Sequence, residues 1–270
     1  MPRPRLGERI DPLGLLGLVF LLGIWQFATY FIPLFSLPHP LDVAQRIRDD
    51  FFLAQYLSSY GLPATGLFNS MLYTTTNVLI AVALGALGGT VGGLVTARFE
   101  RVRAIIDPVL MTAGTIPILV LAPFFLIWFG VGRISAVLLV ASYVAVILYV
   151  YAQRAADNLD PVYEEAAYTL GASPRRALRD VLIPGTVPQI LGGVRIALAG
   201  AWGLEAVAEL LGAQQGIGKI VQVLAGSTDI QGIFAALLVL GMVAIVFDAL
   251  AALIFSSATA WSIPARTGGG

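Results

Sequence analysis

Long stretches without any charged side chain are the feature of this 270-residue chain that most restricts how it can fold. Between Asp11 and Asp42 there are 30 residues with no Asp, Glu, Lys or Arg, and uncharged runs of 25, 20 and 18 residues follow Asp107, Arg133 and Asp229. A membrane-spanning helix needs about 20 consecutive, mostly apolar residues. The runs therefore predict an all-α protein that crosses a membrane several times.

Six spans account for the apolar runs, within a single membrane domain that covers residues 1–270. We place them at 13–33, 68–97, 104–128, 134–156, 186–211 and 231–259. The first run follows arginines as a signal peptide would, but it extends for about 21 residues without a small-residue cleavage site, so we interpret it as a retained span. Glycines at 85–94 favour close helix packing. The net charge of zero excludes the basic field that nucleic-acid binding needs.

The placement of Lys and Arg predicts the orientation, because cytoplasmic loops carry an excess of both. With a cytoplasmic N-terminus, eleven of these residues fall in inside segments and four in outside segments. Both termini and the segment 160–184 are then cytoplasmic. The outer loop 34–66 has apolar residues at Val43, Ile47 and Phe51, a spacing that favours a short amphipathic helix over an irregular connector.

The charged stretch YEEAAYTLGASPRRALRDVLIP, residues 163–184, is typical of two short helices that meet at a glycine. Asp160 and Ser173 each precede a proline, which is the pattern of an N-cap followed by proline at the first helical position. Gly171 is the residue type expected just after a helix C-terminus. From the residues alone, two interpretations stay open: a surface on which another protein docks, and a loop whose arginines face anionic lipid.

The spacing within this stretch resembles the EAA loop of ATP-binding-cassette importer permeases. EAA stands at 165–167, Gly171 follows after three residues, and VLIP at 181–184 follows after nine more. Val181 and Ile183 stand where that family usually has Ile and Leu. The likeness covers roughly residues 37–261, and stretches similar to the nitrate/sulfonate/taurine/bicarbonate branch of the family lie at 116–135, 192–221 and 241–250.

The resemblance implies the six-span fold of a type I importer permease in the bacterial plasma (inner) membrane, a transport subunit with no catalytic residues. In that family the EAA loop forms coupling helices that dock on a separate ATPase. The matching residues here are Glu164, Glu165, Ala166, Ala167, Gly171, Ala172 and Pro184. The implied partners are two cytoplasmic ATPase subunits, a second permease copy in a homodimer, the lipid bilayer, and a periplasmic or lipid-anchored binding protein. ATP and magnesium would be held by the ATPase, and this chain would need no cofactor.

The stretch GAQQGIGKI at 212–220 looks at first like a phosphate-binding loop. A Walker A loop requires G-x-x-x-x-G-K followed by Ser or Thr. Here Ala213 occupies the first glycine position and Ile220 follows Lys219, so ATP binding is not expected. A metal site is not expected either, since the chain has no cysteine and its one histidine, His39, lies in the loop sequence LPHP.

Four ionisable residues fall within predicted spans: Arg195, Glu205, Glu209 and Asp248. Charges at that depth are costly and usually are paired or line a cavity. Arg195 and Asp248 lie at similar depths in the last two spans, which predicts a structural ion pair, with a substrate contact for Arg195 as the alternative. Glu205 and Glu209 share one helix face. Together with Arg195 they are candidates for a translocation pathway or gate, and Glu209 also for a contact with the binding protein.

These observations predict the permease subunit of an ATP-driven importer, which moves a small solute delivered by an extracytoplasmic binding protein. A nitrate-, sulfonate-, taurine- or bicarbonate-like anion is the first expectation for the solute. A thiamine precursor or another organic solute is the alternative, because related permeases serve several classes. A transporter or channel without an ATPase would be expected to contain an internal repeat with broken midplane helices, and no clear repeat is present in the sequence.

Overall fold

The computed structural model describes residues 12–261, and every regular element in that part of the chain is a helix. The α-helices are α1 (Pro12–Ala28), α2 (Pro40–Asp50), α3 (Gly66–Arg98), α4 (Glu100–Thr115), α5 (Ala122–Phe129), α6 (Arg133–Asp157), α7 (Pro161–Thr169), α8 (Pro174–Ala177), α9 (Ile183–Gly212), α10 (Ile217–Gly226) and α11 (Ile230–Ala258). Two 3-10 turns, Gln55–Tyr60 and Ile118–Leu121, and a π-helical turn, Leu178–Leu182, complete the described helices.

Among the described residues, four helices are long and apolar enough to cross a membrane. They are α3, α6, the continuous run Pro174–Gly212 that contains α8 and α9, and α11. These agree with the predicted spans at 68–97, 134–156, 186–211 and 231–259 to within a few residues, except that the run Pro174–Gly212 begins twelve residues earlier.

The predicted span at 104–128 is wrong as a single straight helix. The chain bends by 94° between Glu100–Thr115 and Ile118–Phe129, and only the two parts together are apolar enough for one span. The cause is local. Ile116 precedes Pro117 and has extended torsion angles, φ −79° and ψ 123°, as steric conflict with a following proline ring favours.

The first predicted span, 13–33, is also shorter in the structure, because α1 ends at Ala28. Its 17 residues extend about 26 Å at 1.5 Å per residue, slightly less than a hydrocarbon core of about 30 Å. The N-terminal arginines and Arg266, which entered the orientation argument, lie outside the described residues. The count of six spans and the cytoplasmic termini therefore stay predictions.

The described chain divides into two compact units. The first comprises residues 12–68 and 220–239. In it, α2 is the amphipathic helix predicted for the outer loop, and Val43 on this helix is buried. Arg46 forms ion pairs with Asp50 at 2.5 Å and with Asp229 at 2.8 Å, and it lies over the ring of Tyr56. Burial raises the pKa of the Tyr56 phenol to about 12, so this side chain is neutral at physiological pH.

The second unit comprises residues 69–219 and 240–261. In it, α3 packs against α6 along glycines spaced four residues apart, Gly85, Gly89 and Gly93. A Cβ at any of the three would collide with the backbone of α6, at the carbonyl oxygens of Ala141, Ala145 and Tyr149 respectively. The small residues predicted to allow close packing in 85–94 thus let the two helix backbones touch.

Candidate functional site

The segment from Asp160 to Pro184 has the two-helix form expected from its caps. A carboxylate oxygen of Asp160 accepts a hydrogen bond from the Val162 backbone N–H at 3.0 Å, and α7 begins at the intervening proline. The Ser173 hydroxyl accepts from the Arg176 backbone N–H at 3.4 Å, and α8 likewise begins at a proline. Each side chain satisfies one backbone donor that a helix start leaves free.

The turn between α7 and α8 is built on Gly171. Its backbone φ of +83° lies in the left-handed region, which residues with a Cβ rarely adopt. The Gly171 N–H donates to the Tyr168 carbonyl at 2.9 Å, and the Ala172 N–H donates to the Ala167 carbonyl at 2.9 Å. This pair of bonds is the Schellman arrangement that ends helices at a glycine. The turn therefore has a defined geometry rather than an irregular one.

One contact attaches α7 to the end of α3. The Arg98 guanidinium lies 3.4 Å from a carboxylate oxygen of Glu164 and donates to the Tyr168 hydroxyl at 3.3 Å. Glu165 and Ala166 are exposed on the same helix, and Leu170 at its end is 88% exposed.

On the other side of the turn, Ala177 and Leu182 are buried, whereas Ala172 and Pro184 are half-buried. The segment is thus anchored along one side and open along another. The open part includes three of the residues assigned to docking by the resemblance: Glu165, Ala166 and Gly171.

The pair Arg195–Asp248 is present in the structure. Arg195 Nε lies 3.1 Å from one carboxylate oxygen of Asp248, and its Nη2 lies 2.7 Å from the other, which is a two-point contact between α9 and α11. Both side chains are only about half covered, with exposures of 42% and 43%. Whether the pair is structural or contacts a solute stays a prediction.

Glu205 and Glu209 are fully buried against α3 rather than on an exposed surface. Asn77 Nδ2 donates to Glu205 Oε1 at 2.9 Å, and the Thr74 hydroxyl lies 2.9 Å from both oxygens of Glu209. Thr74 and Asn77 were not among the site residues predicted from the sequence. Their spacing of three residues in a span was the only available signal, since it places two polar side chains on one helix face.

The stretch GAQQGIGKI at 212–220, which lacks the residues of a phosphate-binding loop, binds a carboxylate of this chain instead. At the start of α10, the Gly218 N–H donates to Glu209 Oε2 at 3.0 Å, and the Ile217 N–H donates to the Thr74 hydroxyl at 3.0 Å. A Cβ at Gly216 would overlap the Glu209 carboxylate, and a Cβ at Gly218 would overlap a backbone oxygen. Glu209 thus occupies the anion position that a helix N-terminus offers.

A second polar network, which the sequence analysis also missed, centres on Asp107. Arg103 and Gln153 donate to its carboxylate at 3.2 and 2.9 Å, and the Tyr149 hydroxyl donates to it as well. Arg103 also makes a two-point contact with Asp157, at 3.0 and 2.8 Å. The network connects the beginning of α4 to the end of α6.

Within residues 12–261, no cluster of three or more His, Cys, Asp or Glu side chains could hold a metal ion. His39 Nδ1 lies 2.8 Å from the Thr29 hydroxyl, a contact local to its loop.

Comparison with known proteins decides the family. Residues 88–259, which include α7, α8, the three ionisable residues of α9 and Asp248 of α11, match the model described as binding-protein-dependent transport system inner membrane component. The chain belongs to this family. As an importer permease of the ATP-binding-cassette class, it is a membrane transport component rather than an enzyme.

Two relatives and one solved structure illustrate the likeness. The permease is 31% identical to the formylaminopyrimidine transport permease protein ThiX of Halalkalibacterium halodurans, over 84% of this chain and 86% of the relative. It is also 31% identical to the taurine transport system permease protein TauC of Escherichia coli, over 76% and 72% of the two chains. An inward-facing structure of the MetNI methionine ABC transporter shares the fold at 17% identity, with a TM-score of 0.62 over 71% of this chain and 95% of that one.

Proposed function

We propose that this permease forms the membrane pathway of an ATP-driven importer in a bacterial plasma membrane, and that a separate ATPase drives it through the segment 160–184. The observation that carries the proposal is the geometry of that segment in a member of this family. Glu165 and Ala166 are exposed, both helices are capped, and the turn at Gly171 is hydrogen-bonded. The seven docking residues proposed are those that match the EAA loop.

The proposed topology has six spans in a single domain with both termini in the cytoplasm. Helix α1 supplies the first span, and the bent pair of α4 and α5 supplies the third. Four helices are each long and apolar enough to cross a membrane, and the two helices of the bent pair are so when taken together. Both observations support the proposal. A cytoplasmic position for 160–184 also follows from the excess of arginines on that side.

The connection from the docking segment to the membrane is continuous. The helical run from Pro174 to Gly212 is 39 residues long, so it leads directly from the turn at Gly171 to the buried Glu209. At 1.5 Å per residue it extends for roughly 58 Å. Movement of α7 and α8 on an ATPase would be passed along this helix as a rigid-body displacement.

The proposed partners are two ATPase subunits, which hold ATP and magnesium, a second permease copy and an extracytoplasmic binding protein. The family description, which names a binding-protein-dependent system, supports the last of these. Helix α11 leaves most of its apolar surface uncovered within this chain, which is a surface available to a second copy as well as to lipid. No cofactor is proposed for the permease itself.

The proposed solute is a small organic molecule, with the taurine-like sulfonates first and a thiamine precursor second. Relatives at the same 31% identity are named for formylaminopyrimidine and for taurine, so identity does not separate these classes. The cation of α9, Arg195, is already paired with Asp248, which argues against a fixed anion site at that position.

Reconstitution into proteoliposomes tests the proposal. The permease would be combined with the ATPase and the binding protein encoded beside its gene, and uptake of radiolabelled taurine and of formylaminopyrimidine would be compared. We expect uptake of one of them only when ATP, the ATPase and the binding protein are all present. Uptake that is unchanged without the ATPase would support the channel alternative and refute the proposal.

A further inference from the structure

A groove of about 510 Å³ lies between the last turns of α3 and the stretch formed by α8 and the π-helical turn. Its walls are mainly apolar, and the side chains that line it include Val95, Phe99, Leu178 and Ile183, each between 38% and 57% exposed. Two arginines, one from each side, complete the lining: Arg98 and Arg175. The groove thus combines an apolar surface with two cationic groups.

The two arginines have charge available for a ligand. Among the described residues, no hydrogen bond or ion pair involves the guanidinium of Arg175. Arg98 contacts Glu164 and Tyr168 only at 3.4 and 3.3 Å, and its side chain is 41% exposed. Neighbouring Arg176 is exposed too, but it does not line the groove.

The groove lies where lipid headgroups are expected. Helix α3 has 33 residues and a length of about 50 Å, whereas the hydrocarbon core is about 30 Å thick. Arg98 is the one charged residue of α3 and lies in its last turn, so we assign this end of the helix to the headgroup region, with Val95 one turn earlier. The assignment of this end to the cytoplasmic leaflet rests on the proposed orientation.

We propose that this groove binds an anionic phospholipid of the surrounding bilayer, with an acyl chain against Val95 and Leu178 and the phosphate facing Arg98 and Arg175. Acyl chains would cover the apolar walls in any bilayer. The two guanidinium groups add selection for a headgroup with net negative charge, since a basic residue at the membrane surface attracts anionic lipid. Basic pockets between membrane helices on the cytoplasmic side are sites of this kind.

A bound phosphate would also compete with Glu164 for Arg98. Because that contact attaches α7 to the end of α3, the lipid would loosen the proposed docking helix. This consequence rests on the proposed function, whereas binding of the lipid does not.

Native mass spectrometry of the purified permease tests the site. The protein in detergent would be titrated with dioleoyl-phosphatidylglycerol and, separately, with dioleoyl-phosphatidylcholine. We expect one phosphatidylglycerol to be retained more tightly than phosphatidylcholine. Arg175→Gln should lower the affinity for phosphatidylglycerol about fivefold, the effect of one basic group near the surface. The matched control Arg179→Gln changes an exposed arginine of the same segment that does not line the groove, and it should leave the affinity unchanged.

A second variant separates shape from charge. Val95→Trp places a bulky ring on the apolar wall of the groove without changing its charge, and it should weaken the binding of phosphatidylglycerol. Equal retention of the two lipids by the wild type would overturn the proposal, as would an Arg175→Gln variant that binds phosphatidylglycerol like the wild type. A disulfide-linked dimer formed by Val95→Cys in this cysteine-free chain would show that a second copy fills the groove, and would also overturn it.

Discussion

Gly218 donates its backbone N–H to the buried carboxylate of Glu209 at 3.0 Å, so that a side chain of α9 lies at the N-terminus of α10. The Thr74 hydroxyl of α3 contacts the same carboxylate and also accepts from the next backbone donor, that of Ile217. Three helices therefore meet at one carboxylate. The carboxylate of α9 accepts hydrogen bonds from both α3 and α10, so this one side chain links the three helices.

Substitutions at the two buried glutamates should have unequal effects. Glu209→Leu removes both acceptor oxygens, so the buried Gly218 N–H is left without a partner, which costs about 1–3 kcal/mol. Glu205→Gln should be tolerated. One oxygen of Glu205 and the Asn77 carbonyl oxygen are both buried without a hydrogen-bond partner, and an amide nitrogen supplies the missing donor.

Thermal unfolding of the purified variants in detergent measures this difference. We expect Glu209→Leu to lower Tm by several degrees and Glu205→Gln to stay close to the wild type. A larger loss for Glu205→Gln than for Glu209→Leu would contradict the assignment.

The glycines around Glu209 should resist substitution. Gly216→Ala places a Cβ on the carboxylate at a φ of +105°, and Gly218→Ala places one against the Ala206 carbonyl. Gly192→Ala is the matched control in α9, because nothing lies within 4 Å of a Cβ there. We expect both substitutions to reduce the amount of folded protein in the membrane, while Gly192→Ala equals or exceeds the wild type, since alanine is favoured over glycine in helices by about 1 kcal/mol. Fluorescence size-exclusion chromatography would report the amounts, and normal levels of Gly216→Ala would contradict this account.

Asp248→Asn should destabilise the permease because it leaves the Arg195 guanidinium without its partner. An ionisable side chain within a membrane span is normally paired, so removal of one member leaves the other charge uncompensated at that depth. The double variant Arg195→Gln/Asp248→Asn should recover part of the loss, since no charge is then left unpaired. Asp49→Asn is the control, because its pair with Arg48 is exposed and such pairs contribute little. Membrane levels and Tm would be compared across the four proteins, and a normal Asp248→Asn variant would argue against a structural pair.

Features that depend on neighbours in the sequence could be predicted well. Asp160, Ser173 and Gly171 act within a few residues of their own backbone, so their roles as caps and turn follow from residue type and order. The ion pair of Arg195 with Asp248 could be predicted because the sequence also gives the approximate depth of each residue within its span. The bend after Ile116 also had a local signal, which is the proline that follows it. Because this proline lies within a long uncharged run, the run was interpreted as one continuous span.

Features that depend on how helices face each other could not be predicted. The contact of Thr74 with Glu209 joins residues 135 positions apart and requires the rotation of α3 relative to α9. The same holds for Asp107 and Gln153, 46 positions apart. Hydrophobic patterning defines which residues are in a span. In a helix that is apolar all round, it gives little information about which face contacts which neighbour.

The central claim is that an ATPase docks on the segment 160–184, and the most direct test is the affinity of the ATPase for the permease in nanodiscs. Glu165→Lys reverses an exposed charge, and Gly171→Ala strains the backbone of the turn. The control is Glu100→Lys, which makes the same charge change at an exposed position of α4. Biolayer interferometry would give Kd for each. We predict that both segment variants weaken binding about tenfold or more, the effect of roughly 1.4 kcal/mol, while Glu100→Lys binds as the wild type does. Wild-type affinity in both Glu165→Lys and Gly171→Ala would contradict the claim.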